Sequence, residues 1–122
     1  MKYSDITGEI IGCAMKVHSY FGWGFPEIIY QRSLLLELRK LGFKCGSEVE
    51  KEVYYNNELV GKRKLDVIVE GKVLIELKAI SFLDEASHKQ LINYLKIFKI
   101  DVGLLLNFGM TSLYYKRFVH NY

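Results

Sequence analysis

Residues Lys62 to Ile80 read KRKLDVIVEGKVLIELKAI, two apolar runs joined at Glu70-Gly71-Lys72. Three charged residues interrupt what would otherwise be continuous core: Asp66 in the first run, Glu76 and Lys78 in the second. Strand side chains alternate faces, so Glu76 and Lys78 share one face and Ile75 and Leu77 the other. A three-residue loop centred on Gly71 pairs Val69 with Val73 and sets Asp66 opposite Glu76, on the same face as Lys78. Ile68 and Leu74 are expected beside the charges, with Leu65, Val67, Val69, Val73, Ile75 and Leu77 on the opposite face. Apolar residues on both faces predict strands covered on both sides, so the charges are expected to be partly buried. Unpaired buried carboxylates are costly, and these require either a counter-charge or a divalent cation.

Around this hairpin the composition is that of a folded globular chain. At 122 residues it suits one domain, 1–122, able to bury a core, and 50% apolar with 25% charged residues argues against disorder. A net charge of +3 is too small to imply nucleic acid by itself, so any electrostatic footprint must be local. Lys62-Arg63-Lys64 and Lys116-Arg117 are the candidates, although such runs are more often solvated edges. Cys13 falls in a helical pattern and Cys45 in a loop, with no second pair to suggest zinc; they read as free thiols of a reducing compartment. No apolar leader and no run long enough to span a membrane is present, which leads us to expect a cytoplasmic chain.

Ile6, Ile10, Cys13, Ala14, Val17 and Phe21 recur at helical spacing, with Ser4 or Thr7 available as N-cap. Gly22 and Gly24 end that helix, Pro26 suits the start of another, and Leu34, Leu35, Leu38 and Leu41 carry its apolar stripe. Glu27 and Tyr30, three apart, share a face of its first turn. A more exposed strand is expected from Lys44 to Tyr55, turning at Asn56-Asn57. The Lys62–Ile80 hairpin supplies two further strands. Asp84 or Ser81 can cap a helix carrying Leu91, Tyr94, Leu95 and Phe98, on which Gln90 and Tyr94 share a face. A buried strand at Val102–Leu106, a turn at Asn107–Met110 and a last strand around Leu113–Val119 complete the order α, α, β, β, β, α, β, β. An α/β (α+β) fold follows, a mixed central sheet flanked by helices.

Asp and Glu oxygens suit Mg²⁺ or Mn²⁺, which are commonly held by one or two carboxylates plus substrate phosphates. With Lys78 beside Asp66 and Glu76 to orient water or offset developing charge, the chemistry this set suggests is phosphodiester hydrolysis. Lys62 and Lys64, if they alternate onto the face of Asp66, could hold a phosphate backbone. The plainer reading makes Asp66 and Lys78 a structural ion pair and places Glu76 at a solvent-exposed strand edge. Spacing alone favours that plainer reading. Tyr30 and Tyr94 are more often core than catalytic, and His18, His88 and His120 stand without metal-like neighbours.

Gly24-Phe25-Pro26-Glu27-Ile28-Ile29-Tyr30 resembles the G-x-x-E-x-x-Y signature of the small bacterial GxxExxY proteins. Asp66, then Glu76-Leu77-Lys78, Gln90 to Leu95, and Gly103-Leu104-Leu105-Leu106-Asn107-Phe108-Gly109 resemble the rest of that family, from about Ile6 to Phe118. The family is placed in the PD-(D/E)xK nuclease-like superfamily. The resemblance implies a restriction-endonuclease-like αβββαβ core with an extra N-terminal helix and an extra C-terminal strand. It also implies a Mg²⁺- or Mn²⁺-dependent nuclease in which Asp66, Glu76 and Glu27 hold metal, Lys78 is the lysine of the E-x-K motif, and Gln90 lies near the site. No proline precedes Asp66, and Ser87-His88-Lys89-Gln90 departs from the H-E-A-Q of many members. The partner implied is nucleic acid, DNA ahead of RNA, with a second copy or a partner protein to complete the assembly. The alternative from another class is a non-catalytic binding or interaction module, its surface formed by Tyr54, Tyr55, Tyr114 and Tyr115.

Overall fold

Across the Glu70–Lys72 loop, Val69 pairs with Val73, Ile68 with Leu74 and Val67 with Ile75, the register that alternation predicts. The computed structural model, which describes residues 2–120, builds outward from this pair. The elements are α1 (Ser4–Phe21), α2 (Glu27–Lys40), β1 (Cys45–Tyr55), β2 (Glu58–Val69), β3 (Val73–Lys78), α3 (Glu85–Phe98), β4 (Val102–Asn107) and β5 (Tyr114–Val119). They form one sheet in the order β1-β2-β3-β4-β5, antiparallel except where β3 runs parallel to β4. The α3 crossover supplies the long connection that a parallel pair needs. The expected element order and mixed sheet are both present.

Helices cover both faces. Ile10, Ala14 and Val17 of α1 and Tyr30, Leu34 and Leu38 of α2 pack on Val67, Val69, Val73, Ile75, Leu77, Leu104 and Leu106. On the other face, Leu91, Tyr94 and Leu95 of α3 pack on Leu65, Leu74 and Leu105. Gly103 of β4 lets α3 lie close, because a Cβ there would sit 3.0 Å from Leu91 and 3.1 Å from Leu95. Truncating Leu91 to alanine in this smaller cluster would cost roughly 2–5 kcal/mol.

The structure corrects four local expectations. Leu65 packs under α3, not with Val67, because the β2–β3 ladder stops at Val67 and leaves Leu65 beyond it. Glu48, with φ 50°, interrupts the β1–β2 ladder opposite Asp66 without changing its register; the register shifts further along, between Val53 and Tyr54, where Val60 is an extra residue on β2. Such a bulge increases the local twist. Second, β2 begins at Glu58 rather than Lys62, so β1 and β2 run on past the sheet as a two-stranded ribbon to the Asn56-Asn57 turn. Third, Cys45 opens β1 instead of lying in a loop. Fourth, neither Ser4 nor Thr7 caps α1; Tyr3 holds the N-cap position, and the Thr7 hydroxyl donates to the Ser4 carbonyl. For α3, Asp84 is the cap, accepting from the Ser87 amide at 3.3 Å.

The C-terminal end of β3 is clamped. The buried Asn107 side chain accepts from the Ile80 amide at 3.0 Å and donates to its carbonyl at 2.9 Å, while the Phe108 amide donates to the Lys78 carbonyl at 2.8 Å. The chain passes so near that a Cβ on Gly109 would fall 2.3 Å from the Ile80 nitrogen. Gly109→Ala is therefore expected to destabilise by on the order of 3 kcal/mol, read as a lower urea midpoint at unchanged slope.

Candidate functional site

Where the β2–β3 ladder ends, two carboxylates replace its backbone acceptors. The Asp66 amide donates to Glu76 Oε2 at 3.0 Å, and the Leu77 amide donates to Asp66 Oδ2 at 2.8 Å. Each acid is thus oriented by an amide of the opposite strand. Glu76 is only 6% exposed, since β3 lies between β2 and β4 and is covered by helices. That removes the reading in which Glu76 sits at a sheet edge. The structural ion pair is absent too: among the described residues, Lys78 lies within ion-pair distance of no carboxylate.

Burial and crowding set the electrostatics. Desolvation first, then the charge of Asp66, pushes the Glu76 carboxyl up to about 8. Desolvation also raises Asp66, against the opposing pull of the Leu77 amide and Lys78. Glu27, on the first turn of α2, is raised by desolvation and then by Asp66. Lys78 works against the rise in all three. Two hard oxygen donors held together, each with one oxygen fixed by an amide, and lacking enough positive charge to stay ionised, fit a divalent cation of the Mg²⁺ or Mn²⁺ class. Among the described residues no three acids, cysteines or histidines stand close enough to hold a metal between them. Glu27 stands near enough for its charge to act on Glu76.

Lys78 is half-buried, opposite Asn107 in the parallel β3–β4 pair. Gln90 is exposed on α3 and touches neither acid; its amide donates to the Tyr94 hydroxyl at 3.0 Å. Tyr94 itself feels Glu76 and Asp66, whose charges help to raise it after desolvation. Lys62 and Lys64 stand on the ribbon opposite Glu52 and Glu50, and Lys62 Nζ lies 3.4 Å from Glu50. Tyr30 is fully buried, stacked on Phe108 with centroids 4.7 Å apart; its hydroxyl donates to the Gly22 carbonyl at 2.6 Å and accepts from the Phe25 amide at 3.2 Å. It closes the turn that presents Glu27. His88 bridges the Asp84 carbonyl at 3.2 Å and the Tyr114 hydroxyl at 2.7 Å, which sets Nδ1 as its donor and Nε2 as its acceptor.

Gln31 and Asn107 were not singled out for roles by the sequence. Buried Gln31 donates to the Asp66 carbonyl at 3.4 Å, tying α2 to the strand that bears the acid. It lies four residues after Glu27 on the same helix face, a spacing that could have drawn attention to it. The clamp role of Asn107 had no such spacing signal, because the Ile80 backbone atoms it holds are 27 residues away, although it also accepts from the Gly109 amide at 3.1 Å.

A family model described as the PD-(D/E)XK nuclease superfamily matches residues 4–118. No curated protein matches the chain. Among solved structures, the crystal structure of SSO0001 superposes with a TM-score of 0.58 at 21% sequence identity, covering 99% of this chain and 61% of that one. The chain thus spans about three fifths of that structure's length, and the likeness is one of fold. The mixed five-stranded sheet and three helices agree with a restriction-endonuclease-like arrangement.

Two outcomes are expected from this geometry. The folded chain keeps a proton at Glu76 to about pH 8 that the unfolded chain releases near 4.5, so in chelator stability is greatest below 4.5 and falls as pH rises toward 8. Glu76→Gln should match wild type at pH 4.5 and exceed it at pH 8 in melting temperature, the gain bounded at roughly 5 kcal/mol. An equal gain at both pH values would contradict the buried proton. Tyr30→Phe should cost about 1–2 kcal/mol in urea unfolding, because it leaves the Phe25 amide and Gly22 carbonyl without their partner.

Proposed function

This chain belongs to the PD-(D/E)XK nuclease superfamily, and from that premise we propose that it is a metal-dependent nuclease of the GxxExxY kind, hydrolysing phosphodiester bonds of DNA or RNA. The observation that carries this reading is the Asp66–Glu76 pair, Glu76 buried and Asp66 half-buried, each accepting from an amide of the opposite strand, with Lys78 two residues beyond Glu76 on β3.

Asp66 and Glu76 would hold Mg²⁺ or Mn²⁺. Bound there, the cation supplies charge stabilisation at phosphorus and makes a coordinated water more acidic. The chain's own residues do the rest. The two amide hydrogen bonds fix which carboxylate oxygens are committed to the fold and which remain to bind. Lys78, held by strand pairing to β4 and by the Asn107 clamp just beyond it, presents an ammonium group to orient the attacking water or offset charge on the phosphoryl oxygens. Glu27 adds negative potential that favours a dication over a proton at the pair. Gln90 acts through Tyr94, as a positioning residue. No described helix is long and apolar enough to cross a membrane.

Cleavage of single- and double-stranded DNA and RNA, with Mg²⁺, with Mn²⁺ and with chelator, tests the proposal. Wild type should cut in metal and not in chelator, and Glu76→Ala should lose cleavage outright. Lys78→Ala should lose about 10²–10⁴-fold in rate, the range for a positioned proton-transfer or charge-stabilising group. Saturating metal should raise the wild-type melting temperature by about 5 °C or more and leave Glu76→Ala unmoved. If nothing is cut and no metal shifts the melting temperature, the reading fails. The function would then pass to an interaction surface, for which the ribbon tip, with Tyr54 57%, Tyr55 69% and Leu59 51% exposed, offers an apolar patch.

A further inference from the structure

The two faces of the β1–β2 ribbon differ in charge. On one face Glu50 stands opposite Lys64 and Glu52 opposite Lys62, so each cation meets an acid. On the other, Lys51 stands directly opposite Arg63. Like charges opposite one another weaken a strand pair, and opposite charges were available one residue away on either side. Arg63 is turned toward α3: with Tyr94 and Ile97 it lines two adjoining cavities of about 240 and 390 Å³ between the ribbon and that helix. Val53, Val60 and Phe98 line the first, and Lys89, Gln90 and Asn93 the second. No acid lines either cavity. Among the described residues, Lys51, Arg63 and Lys89 have no carboxylate within ion-pair distance. The Arg63 guanidinium gives one bond to the neighbouring Lys62 carbonyl at 2.8 Å, leaving most of its donors for a ligand.

The cavities share Tyr94, whose hydroxyl lies in the field of Glu76, Asp66 and Arg63 alike. Tyr94 also packs in one cluster with Leu65, the residue before Asp66, so the groove runs from the cationic ribbon face toward the strand that bears the acid. Its floor is apolar: Val60 is 61% and Ile97 50% exposed to it and to solvent. Cations on the walls with apolar side chains between them suit phosphates and unstacked base faces, the pattern of single-strand binding. A duplex presents phosphate and sugar outward with its bases stacked inside, and offers that floor nothing.

We propose that this groove, lined by Arg63 of the ribbon and Lys89 of α3 with Lys51 opposite Arg63 at its margin, binds single-stranded nucleic acid and delivers it to Asp66 and Glu76. The inference rests on the nuclease reading and names its substrate class as a single strand or an unpaired end. It also transfers the phosphate-binding role from Lys62, which pairs with Glu50, and Lys64, which stands opposite that same acid on the far face, to the cation between them in sequence.

Fluorescence anisotropy with labelled 12-nucleotide DNA and RNA, single-stranded and duplex, on the full wild-type chain in chelator reads binding without cleavage. Single strands should bind more tightly than duplex of equal length at equal salt. Arg63→Ala with Lys89→Ala should weaken single-strand binding about tenfold or more and reduce the salt slope by about two. Lys62→Ala with Lys64→Ala removes the same charge from the opposite face and should change affinity less than about twofold. Duplex binding as tight as single strand, or equal loss in both double variants, overturns the groove. If metal-dependent cleavage nevertheless persists and is lost in Glu76→Ala, the nuclease reading survives without it. Neither binding nor cleavage on any substrate overturns both.

Discussion

The exchange of amides between Asp66 and Glu76 is the constraint on which the rest of the site depends. At the point where an antiparallel ladder would place two carbonyls, the chain places two carboxylates instead. The strands then separate without leaving buried amides unsatisfied, a condition that buried backbone must meet. That separation holds two acids side by side, mostly out of water, and neither is comfortable there as an anion. One local substitution of acceptors therefore ends the β2–β3 pairing, frees β2 to run on with β1, and builds a pair of oxygen donors that gains from a dication.

The surrounding fold keeps this pair from relaxing. β3 is the central strand of the five, paired to β2 on one side and to β4 on the other, so Glu76 cannot swing to solvent. α3 lies close over Gly103, and α2 is tethered to Asp66 through Gln31. Asn107 acts as a surrogate stretch of backbone for Ile80, which fixes the path of the chain just after Lys78. These contacts pass through main-chain atoms, and main-chain positions are less tolerant of drift than long side chains. The tyrosine of the G-x-x-E-x-x-Y signature belongs to this frame: fully buried and bonded to Gly22 and Phe25, it sets the turn that brings Glu27 to the site.

The ribbon carries the second asymmetry. Three consecutive basic residues look alike in the sequence, yet pairing with β1 gives Lys62 and Lys64 acids to face and gives Arg63 a lysine. An extended strand sorts neighbouring residues onto opposite surfaces, and the same run of charge becomes a neutral face and a cationic one. With a net charge of only +3 on the chain, where the unpaired cations lie matters more than how many there are.

Much of this architecture was legible in the sequence, because alternation in Lys62–Ile80 and helical spacing elsewhere are local consequences of backbone geometry. The hairpin register, the element order, the two covered faces and the juxtaposition of Asp66, Glu76 and Lys78 all follow from periods of two and 3.6 and one glycine-centred turn. Tertiary structure alone decided whether Glu76 is at an edge or in the middle of the sheet, since that depends on β4 docking alongside β3 after a helical crossover. It also decided that Leu65 turns under α3, that Lys62 and Lys64 face acids while Arg63 faces the groove, and that Asn107 clamps Ile80. Each of these outcomes depends on a pairing between segments far apart or on the left-handed backbone at Glu48 opposite Asp66, and neither is visible in the local period of the sequence.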